Sequence, residues 1–463
     1  MADDEPNVIV NGDFHDGLRG WSHEGEAQPV AGGVRLGGGS SVSQPYVIGG
    51  ERIVYFGAHF TGPGGGVRTV CYDAKDRVVM TQTANVDPKK LDAGVYFKTQ
   101  GKTSYLKAYL LNGGKDAVDC NTVKLIDYDR DRKAEVPLCD LDEYMTPIWK
   151  GDTIYNETVL PFDGGGRLLL TPTKVLSIKD SSLTHAYQEG VDYLVQGREL
   201  LFPKTGAIRS LGSGDFPSGD LPWYSVAGKH LAVTYTHAES WPHGLVNSQA
   251  ERLPNTVRRL KSGRPLTVVA YGDSITLGIN VSGYRQEAPF MPTWPELFVR
   301  QIGKQFGDDE IKLYNAALGG MASDWGATNA KDAVASLNPD LVTISFGMND
   351  FWWIPPALYR QNIESIIATV RRANPRCEFI LISPLRFDPA YTDDKTYNGN
   401  FSGYPEELKS LAGPGIAYLD MNGISQALYS AKKPKDLITD PMHPDDFLAR
   451  IYAQSLVAVL GGP

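Results

Sequence analysis

The feature that most constrains the fold is a change of pattern near residue 265, after which continuously apolar runs alternate with amphipathic stretches. The apolar runs occupy residues 266–271, 311–315, 341–346, 379–383 and 416–420. Strands that are apolar on both faces are typical of a parallel sheet covered by helices. The stretches between them place apolar residues at helical spacing. This pattern predicts a doubly wound α/β domain with a five-stranded parallel sheet, in which ligands bind at the carboxyl ends of the strands.

The chain before residue 251 has a different character. Residues 1–135 alternate short β-type segments with glycine- and asparagine-rich turns and show no helical period, which predicts an all-β sandwich. Residues 136–250 are also rich in β-type segments and predict a second, smaller β-rich domain packed on the α/β domain. The expected domains are therefore 1–135, 136–250 and 251–463.

Composition excludes several classes of function. The formal net charge of −9 disfavours a polyanionic partner such as nucleic acid, and no run of about 20 apolar residues predicts a membrane segment. The histidines His230, His237 and His243 lie at spacings of 7 and 6, which fit no regular ligand face, so no metal site is predicted. Cys71 and Cys120 fall within one predicted domain and could form a disulfide, with free thiols as the equal alternative.

A serine stands directly after the first strand of the α/β domain, in the segment Gly272-Asp273-Ser274. The glycine permits a tight strand-to-helix turn, so Ser274 would project at the top of the sheet near a helix N-terminus. There its backbone N–H can stabilise a developing oxyanion. The alternative role is that of a helix N-cap serine, which is common.

The second and third strands end in segments that offer further hydrogen-bond donors. Asn315 begins a segment that ends in Gly319 and Gly320, and Asn349 follows the third strand. We expect the backbone N–H of Gly320 and the side-chain amide of Asn349 to converge with the N–H of Ser274 on one oxygen. The alternative is that both segments are ordinary turns.

His443 stands directly before the last predicted helix, and no histidine lies between it and His243. A serine nucleophile needs a base whose pKa is near neutrality, and within this domain His443 has no competitor. Asp440, three residues earlier, can accept a hydrogen bond from Nδ1 and turn Nε2 toward Ser274. These residues predict a serine-esterase catalytic pair, Ser274 and His443.

Four segments, namely those around Ser274, Gly320, Asn349 and residues 440–443, occur in this order in the chain. Together they resemble the SGNH (GDSL-type) hydrolase family over about the last 200 residues. The resemblance implies that Ser274 is the nucleophile, that His443 is the base and that Asp440 orients it. It also implies an oxyanion hole formed by Ser274, Gly320 and Asn349.

Within this resemblance, the second oxyanion donor is assigned to Gly320 rather than Gly319, because Gly320 follows Asn315 by five positions, as in relatives. The implied reaction is an acyl transfer in two steps through an ester on Ser274. It needs no metal and no organic cofactor.

The opening of the chain carries a second resemblance. Residues 7–21 contain a short strand, an Asn-Gly-Asp-Phe turn and a tryptophan, and they resemble the start of galactose-binding-like jelly rolls and carbohydrate-binding modules. Phe14 and Trp21 are expected in the core rather than as sugar platforms, because aromatic side chains of small sandwiches are mostly buried.

Three residues near the expected site are candidates for substrate binding. Trp352 and Trp353 follow the Asn349 block directly, and Arg285 lies on the connection after the nucleophile. The alternative for each tryptophan is a place in the core. The longest insertion, residues 386–414, is expected to be solvated because it contains several charged residues, glycines and prolines. A lipase would be expected to carry a more apolar, lid-like insertion.

The attached β-domains favour a glycan substrate. The leading hypothesis is a carbohydrate O-acetyl esterase that removes acetyl groups from a polysaccharide or oligosaccharide and acts outside the cytoplasm, secreted or periplasmic. The N-terminus lacks the basic and apolar regions of a signal peptide, so either a signal was removed or the protein stays in the cytoplasm. The alternative functions are a lipase or arylesterase with small-acyl substrates, a glycan-binding protein, and an acetyltransferase that uses the same serine. The glycan, the acetyl position and the oligomeric state stay open.

Overall fold

The computed structural model describes residues 7–130, 135–216, 224–241, 246–307, 310–391 and 399–461. The chain divides into two compact units, Met1–Lys133 and Ala134–Pro463. None of the helices within these described ranges has the length and the apolar character that crossing a bilayer requires.

Strands make up the regular structure in the described part of the first unit: β1 (Ser22–Glu24), β2 (Ala27–Val30), β3 (Gly33–Leu36), β4 (Ser41–Val47), β5 (Ile53–Phe60), β6 (Gly65–Tyr72), β7 (Val78–Asn85), β8 (Asp92–Lys98), β9 (Tyr105–Asn112) and β10 (Val118–Asp127). They pair antiparallel in two five-stranded sheets, ordered β1-β4-β9-β6-β7 and β2-β3-β10-β5-β8. The predicted antiparallel β architecture is confirmed, and a jelly-roll topology stays a prediction.

The core of the first unit lies between the inward faces of these strands. In β9, Leu106, Ala108 and Leu110 are buried and alternate with less buried residues, as the period of two in a strand requires. Phe14 and Trp21 are buried and stack with ring centroids 5.0 Å apart, so both belong to the core.

The cysteines of the first unit are free. Cys71 and Cys120 are buried in its core without a disulfide, and Cys139 and Cys377 of the second unit are free as well. Of the two alternatives for the cysteines, the structure has the free thiols.

The second unit begins with further strands, namely β11 (Thr153–Val159), β12 (Gly165–Arg167), β13 (Pro172–Lys179), β14 (Ala186–Tyr187), β15 (Leu194–Gln196), β16 (Glu199–Leu201) and β17 (Leu231–His237). They form a four-stranded sheet ordered β11-β17-β13-β14 and a three-stranded sheet ordered β12-β16-β15, both antiparallel.

A parallel sheet follows, made of β18 (Leu266–Gly272), β19 (Ile311–Asn315), β20 (Leu341–Ser345), β21 (Glu378–Ile382) and β22 (Ile416–Leu419). Its order is β19-β18-β20-β21-β22, and every neighbouring pair is parallel. The prediction of a five-stranded parallel sheet within an α/β architecture is confirmed.

The helices of the second unit are α1 (Leu141–Tyr144), α2 (Pro254–Lys261), α3 (Ser274–Leu277), α4 (Ser282–Arg285), α5 (Trp294–Phe306), α6 (Ser323–Ala333), α7 (Pro356–Ala373), α8 (Asn400–Ser410), α9 (Met421–Ala431) and α10 (Asp446–Val459). Short 3₁₀ turns lie at Ser213–Asp215, Ala250–Arg252, Ala335–Leu337, Asp350–Trp352 and Pro434–Asp436.

One apolar core joins the β strands and the parallel sheet of the second unit. Val159 and Val233 of the antiparallel strands belong to the same buried cluster as Val269 and Ile344 of the parallel sheet. Helix α10 is buried at every position from residue 447 to 459, because elements pack against all of its faces. A domain boundary at residue 250 stays a prediction.

Candidate active site

The turn after β18 sets the position of Ser274. Gly272 ends the strand, and a Cβ on it would lie 2.2 Å from the carbonyl oxygen of Ser345 in β20, so only glycine fits. Ser274 is the first residue of α3, and the Asp273 carboxylate caps that helix by accepting from the N–H of Ile275 at 3.0 Å. The alternative of an N-cap serine is therefore wrong, because Asp273 holds that position.

A line of hydrogen bonds connects Ser274, His443 and Asp440. The Nε2 atom of His443 lies 2.8 Å from the Oγ of Ser274. The Nδ1 atom of His443 lies 2.9 and 2.8 Å from the two carboxylate oxygens of Asp440. All three residues are buried. Since an ionised carboxylate can only accept, the imidazole carries its hydrogen on Nδ1 and offers Nε2 as an acceptor to the serine hydroxyl.

The Asp440 carboxylate is held by other donors as well. Its Oδ1 accepts from the N–H groups of Met442 and His443 at 3.0 and 2.9 Å. Its Oδ2 accepts from the side-chain amide of Asn280 at 2.7 Å. Asn280 was not among the predicted site residues. Its signal in the sequence, an asparagine in the loop after Ser274, is weak because asparagine is common in turns.

The segment after β19 runs beside the serine turn. The N–H of Leu318 donates to the carbonyl oxygen of Gly272 at 3.1 Å, which extends the pairing of the two strands. A Cβ on Gly319 would lie 3.7 Å from the Cβ of Ser274. Gly320 comes next, is exposed and has a φ of 77°, in the left-handed region that favours glycine. The structure thus places Gly319 beside Ser274, and Gly320 follows it in the chain after β19.

Asn349 follows β20 at the same edge. Its Nδ2 donates to the carbonyl oxygen of Met321 at 3.1 Å, which ties it to the segment that contains Gly320. A side-chain amide carries two N–H hydrogens, so this group can donate once more. The next residue, Asp350, is buried and its Oδ1 accepts from the N–H of Ser323 at 3.0 Å, at the start of α6.

Two carboxyl groups near the site have pKa values above the usual range. Burial raises the pKa of Asp350 to about 6. Burial also raises the pKa of Asp273 to about 7; the charge of Asp350 adds to this rise, whereas His443 opposes it. Each of them accepts a backbone N–H at a helix start, so both carboxyl groups serve the geometry of the turns that carry Ser274 and Asn349.

The residues predicted to bind substrate lie in two places. Trp352 and Trp353 are 39% and 59% exposed, so neither is a core residue. Trp352 is the last residue of the 3₁₀ turn that follows Asn349, and Trp353 comes directly after it. Arg285 instead donates from Nη1 to the carbonyl oxygen of Asn280 at 2.9 Å and forms an ion pair with Glu287. The structure therefore connects Arg285 to Asp440 through Asn280 and leaves the tryptophans beside the amide donor.

The insertion 386–414 is more buried than expected. Asp388 is 3% exposed and accepts from the hydroxyl of Tyr224 at 2.8 Å and from Nζ of Lys435 at 2.6 Å. Helix α8 buries Phe401 and Tyr404. The expectation of a solvated insertion is wrong for these residues, because distant residues supply partners for the carboxylate and α8 has an apolar face. Residues 393–395 lie outside the described residues.

The histidines between residues 230 and 243 have structural partners where they are described. The Nε2 of His230 bonds to the carbonyl oxygen of Lys435, and the Nδ1 of His237 to that of Glu239, both at 2.8 Å. His243 lies outside the described residues. Within the described ranges, no group of three or more histidine, cysteine, aspartate and glutamate side chains is arranged to hold a metal ion.

Comparison with known proteins gives a family for the part of the chain that contains this site. Residues 270–450 match the GDSL-like lipase/acylhydrolase family. No curated protein matches the chain.

Among solved structures, the chain is similar to a two-domain esterase (CEX) active on acetylated mannans, at 20% identity and a TM-score of 0.37. The match covers 48% of this chain and 56% of that one, so the chain spans little more than half the length of this relative. It is also similar to Axe2, an acetylxylan esterase from Geobacillus stearothermophilus, at 16% identity and a TM-score of 0.36, over 43% of this chain and 95% of that one. A third is a lipase/acylhydrolase from Enterococcus faecalis, at 23% identity and a TM-score of 0.33, over 42% and 96%.

Proposed function

We propose that this chain, which over residues 270–450 belongs to the GDSL-like lipase/acylhydrolase family, is a serine esterase that removes O-acetyl groups from a polysaccharide or oligosaccharide. The observation that carries the proposal is the hydrogen-bonded line from Ser274 through His443 to Asp440 at the carboxyl edge of the parallel sheet. An acylhydrolase domain supplies the class of reaction, the hydrolysis of carboxylic esters.

In the proposed mechanism, the Oγ of Ser274 attacks the ester carbonyl while the Nε2 of His443 takes its proton. The tetrahedral intermediate collapses, and the leaving alkoxide receives that proton as the alcohol departs. Water, deprotonated by the same nitrogen, then attacks the acyl-enzyme; acetate leaves and Ser274 regains its proton. Asp440 accepts from Nδ1 throughout and stabilises the imidazolium that forms in each step.

The negative oxygen of each tetrahedral intermediate needs donors that are already in place. We assign this role to the N–H of Ser274, the N–H of Gly320 and the second N–H of the Asn349 amide. These groups follow strands β18, β19 and β20, which are adjacent in the sheet. Donors fixed in this way stabilise the oxyanion without reorganising during the reaction.

The glycan substrate is supported by the two exposed indoles next to Asn349. An aromatic face can pack against the apolar face of a sugar ring, and exposed tryptophans are otherwise costly to leave in water. The resemblance of residues 7–21 to carbohydrate-binding modules supports the same class of substrate. Action on a glycan also implies a location outside the cytoplasm, secreted or periplasmic.

Labelling with a fluorophosphonate tests the nucleophile. We expect the wild type to react and Ser274→Ala not to react, with kcat on p-nitrophenyl acetate reduced at least about 10⁴-fold. Asn349→Ala should keep the label and lose roughly 10²- to 10³-fold in kcat, since it removes one oxyanion donor. A folded wild type that resists the probe would contradict the serine mechanism.

Acetate release from acetylated mannan, xylan and pectin tests the substrate class, with p-nitrophenyl esters of increasing chain length as the comparison. We expect acetyl esters to be preferred, and Trp352→Ala and Trp353→Ala to raise KM for acetylated oligosaccharides while leaving p-nitrophenyl acetate unchanged. A clear preference for acyl chains beyond about eight carbons would favour a lipase and overturn the glycan proposal.

A further inference from the structure

The loop after the nucleophile helix contains a side chain that contacts the carboxylate of the proposed triad. Asn280 is partly buried and donates from Nδ2 to the Oδ2 of Asp440 at 2.7 Å, whereas the backbone and imidazole nitrogens lie 2.8–3.0 Å from that carboxylate. Oδ1 accepts from two backbone N–H groups and Oδ2 accepts from Asn280, while the Nδ1 of His443 lies within hydrogen-bond distance of both oxygens. Asn280 thus helps His443 and the two backbone N–H groups to fix this carboxylate.

The backbone of Asn280 is held in an unusual conformation. Its φ is 74°, in the left-handed region, and asparagine is among the few residues other than glycine that adopt it at modest cost. The Nη1 of Arg285 donates to its carbonyl oxygen at 2.9 Å. Arg285 is itself fixed by its ion pair with Glu287. The amide of Asn280 is therefore aimed at Asp440 by a fixed backbone rather than by a flexible side chain alone.

We propose that Asn280 is a positioning residue of the esterase, which acts through Asp440 to hold the His443 imidazole in line with Ser274. The inference rests on the proposed function. Its amide keeps Asp440 from rotating, so that Nδ1 of His443 always meets an oxygen. The same geometry makes Arg285 a support for Asn280 rather than a substrate contact.

Two substitutions distinguish a positioning role of Asn280 from a role in folding alone. Asn280→Gly keeps the left-handed backbone accessible and removes the donor, and Asn280→Asp keeps the shape and replaces the donor by a second carboxylate. We expect Asn280→Gly to lower kcat on p-nitrophenyl acetate roughly ten- to a hundredfold, the range for a lost hydrogen bond to a charged group, with KM little changed. Asn338→Gly is the matched control, since Asn338 is also in the left-handed region with a φ of 49° and is exposed.

The pH profile of kcat/KM gives a second measurement that a structural role would not change. The titratable and charged groups around the pair are Asp273 beside His443, Tyr224 near Asp440, and Arg285 behind Asn280. The added carboxylate of Asn280→Asp favours imidazolium, so we expect the acidic limb of the profile to move to higher pH. Asn338→Gly should leave the limb in place.

Arg285→Ala distinguishes support from substrate contact. If Arg285 supports Asn280, Arg285→Ala should lower kcat and leave KM for acetylated oligosaccharides unchanged. A rise in KM alone would instead make it a substrate contact and remove it from the proposed chain of contacts. The positioning role of Asn280 is overturned if both Asn280 variants keep the wild-type kcat and acidic limb. In that case the wild type would still react with the fluorophosphonate, so failure of this inference is distinct from failure of the esterase mechanism.

Discussion

The two β-rich parts of this chain differ in what they pack against. In the first unit, strands such as β5 and β9 contribute Phe56 and Leu110 to a core that contains side chains of that unit alone. In the second unit, Val159 of β11 and Val233 of β17 share one cluster with the parallel sheet. Similar strand-forming sequences therefore build a unit with its own core in one case and part of the α/β unit in the other.

Two ion pairs, one from each unit, differ strongly in burial. In the first unit, the ion pair of Arg35 and Asp119 has side chains that are 54% and 28% exposed. In the second unit, the Nζ of Lys432 lies 2.6 Å from the Oε1 of Glu157, and both side chains are fully buried. Glu157 belongs to β11, whereas Lys432 follows α9. This ion pair thus joins an antiparallel strand to the segment that precedes Asp440.

That segment is attached to the β strands and their connections along its length. The contacts are Lys432 with Glu157, the carbonyl oxygen of Lys435 with His230, the Asp436 carboxylate with the N–H of Leu160, and the carbonyl oxygen of Thr439 with the N–H of Val226. Asp440 and His443 follow directly. The second β-rich region therefore supports the loop that carries the proposed base.

The largest effect that tests this comparison is expected for Lys432→Met. It leaves the Glu157 carboxylate buried without its cation, which typically costs about 3–5 kcal/mol. We expect the free energy of unfolding of the second unit, measured with urea, to fall by that amount. The kcat on p-nitrophenyl acetate should fall as well, because the segment before Asp440 loses its attachment.

Two further variants control that experiment. Adding Glu157→Gln to Lys432→Met removes the uncompensated charge and should restore much of the stability. Arg35→Ala breaks the exposed pair of the first unit and should cost less than about 1 kcal/mol. Equal costs for Lys432→Met and Arg35→Ala would remove the distinction between the two regions.

The contrast also explains what could be predicted from the sequence. The parallel sheet could be predicted, because strands buried on both faces are apolar throughout, as in β18 and β20. Ser274, His443 and Asp440 could be proposed because each stands next to a predicted strand or helix end. The burial of Glu157, Lys432 and Asp388 could not, since a charged side chain is buried only when the fold brings it a partner. For Glu157 that partner is 275 residues away.

Asn280 was beyond prediction for a related reason. Its role depends on a left-handed backbone and on a carboxylate 160 residues later in the chain. Neither the left-handed backbone nor the distant carboxylate produces a recognisable pattern of residues in the sequence. Patterns of apolar residues predict the elements, while contacts between polar residues far apart in the chain depend on the completed tertiary structure.

A smaller effect is expected from the titration of His230. Burial lowers the pKa of His230 to about 4, whereas in the unfolded chain it is near 6.5. Between these pH values the unfolded state binds more protons than the folded state. The contribution of neutral His230 to the free energy of unfolding is therefore fully present above pH 6.5 and falls by roughly 3 kcal/mol as the pH decreases toward 4. His230→Gln keeps a donor for the carbonyl oxygen of Lys435 and removes the titration.

The measurement is the free energy of unfolding of the wild type and of His230→Gln at several pH values between 7 and 4. We expect the variant to lose less stability on acidification, and His15→Gln, at an exposed position of the first unit, to control for the substitution itself. Parallel pH curves for the wild type and His230→Gln would mean that His230 does not contribute to acid lability of the second unit.

The smallest effect is expected from removing the first unit altogether. A chain that begins at residue 134 keeps the core of the second unit intact, since the buried cluster of the first unit is separate. We expect kcat/KM on p-nitrophenyl acetate to change by less than about twofold, a free-energy difference of roughly 0.4 kcal/mol. Acetate release from acetylated polysaccharide should fall by more than this if residues 1–133 bind the polymer. Loss of activity on the small ester would instead show that the first unit supports the active site, as the strands β11–β17 do.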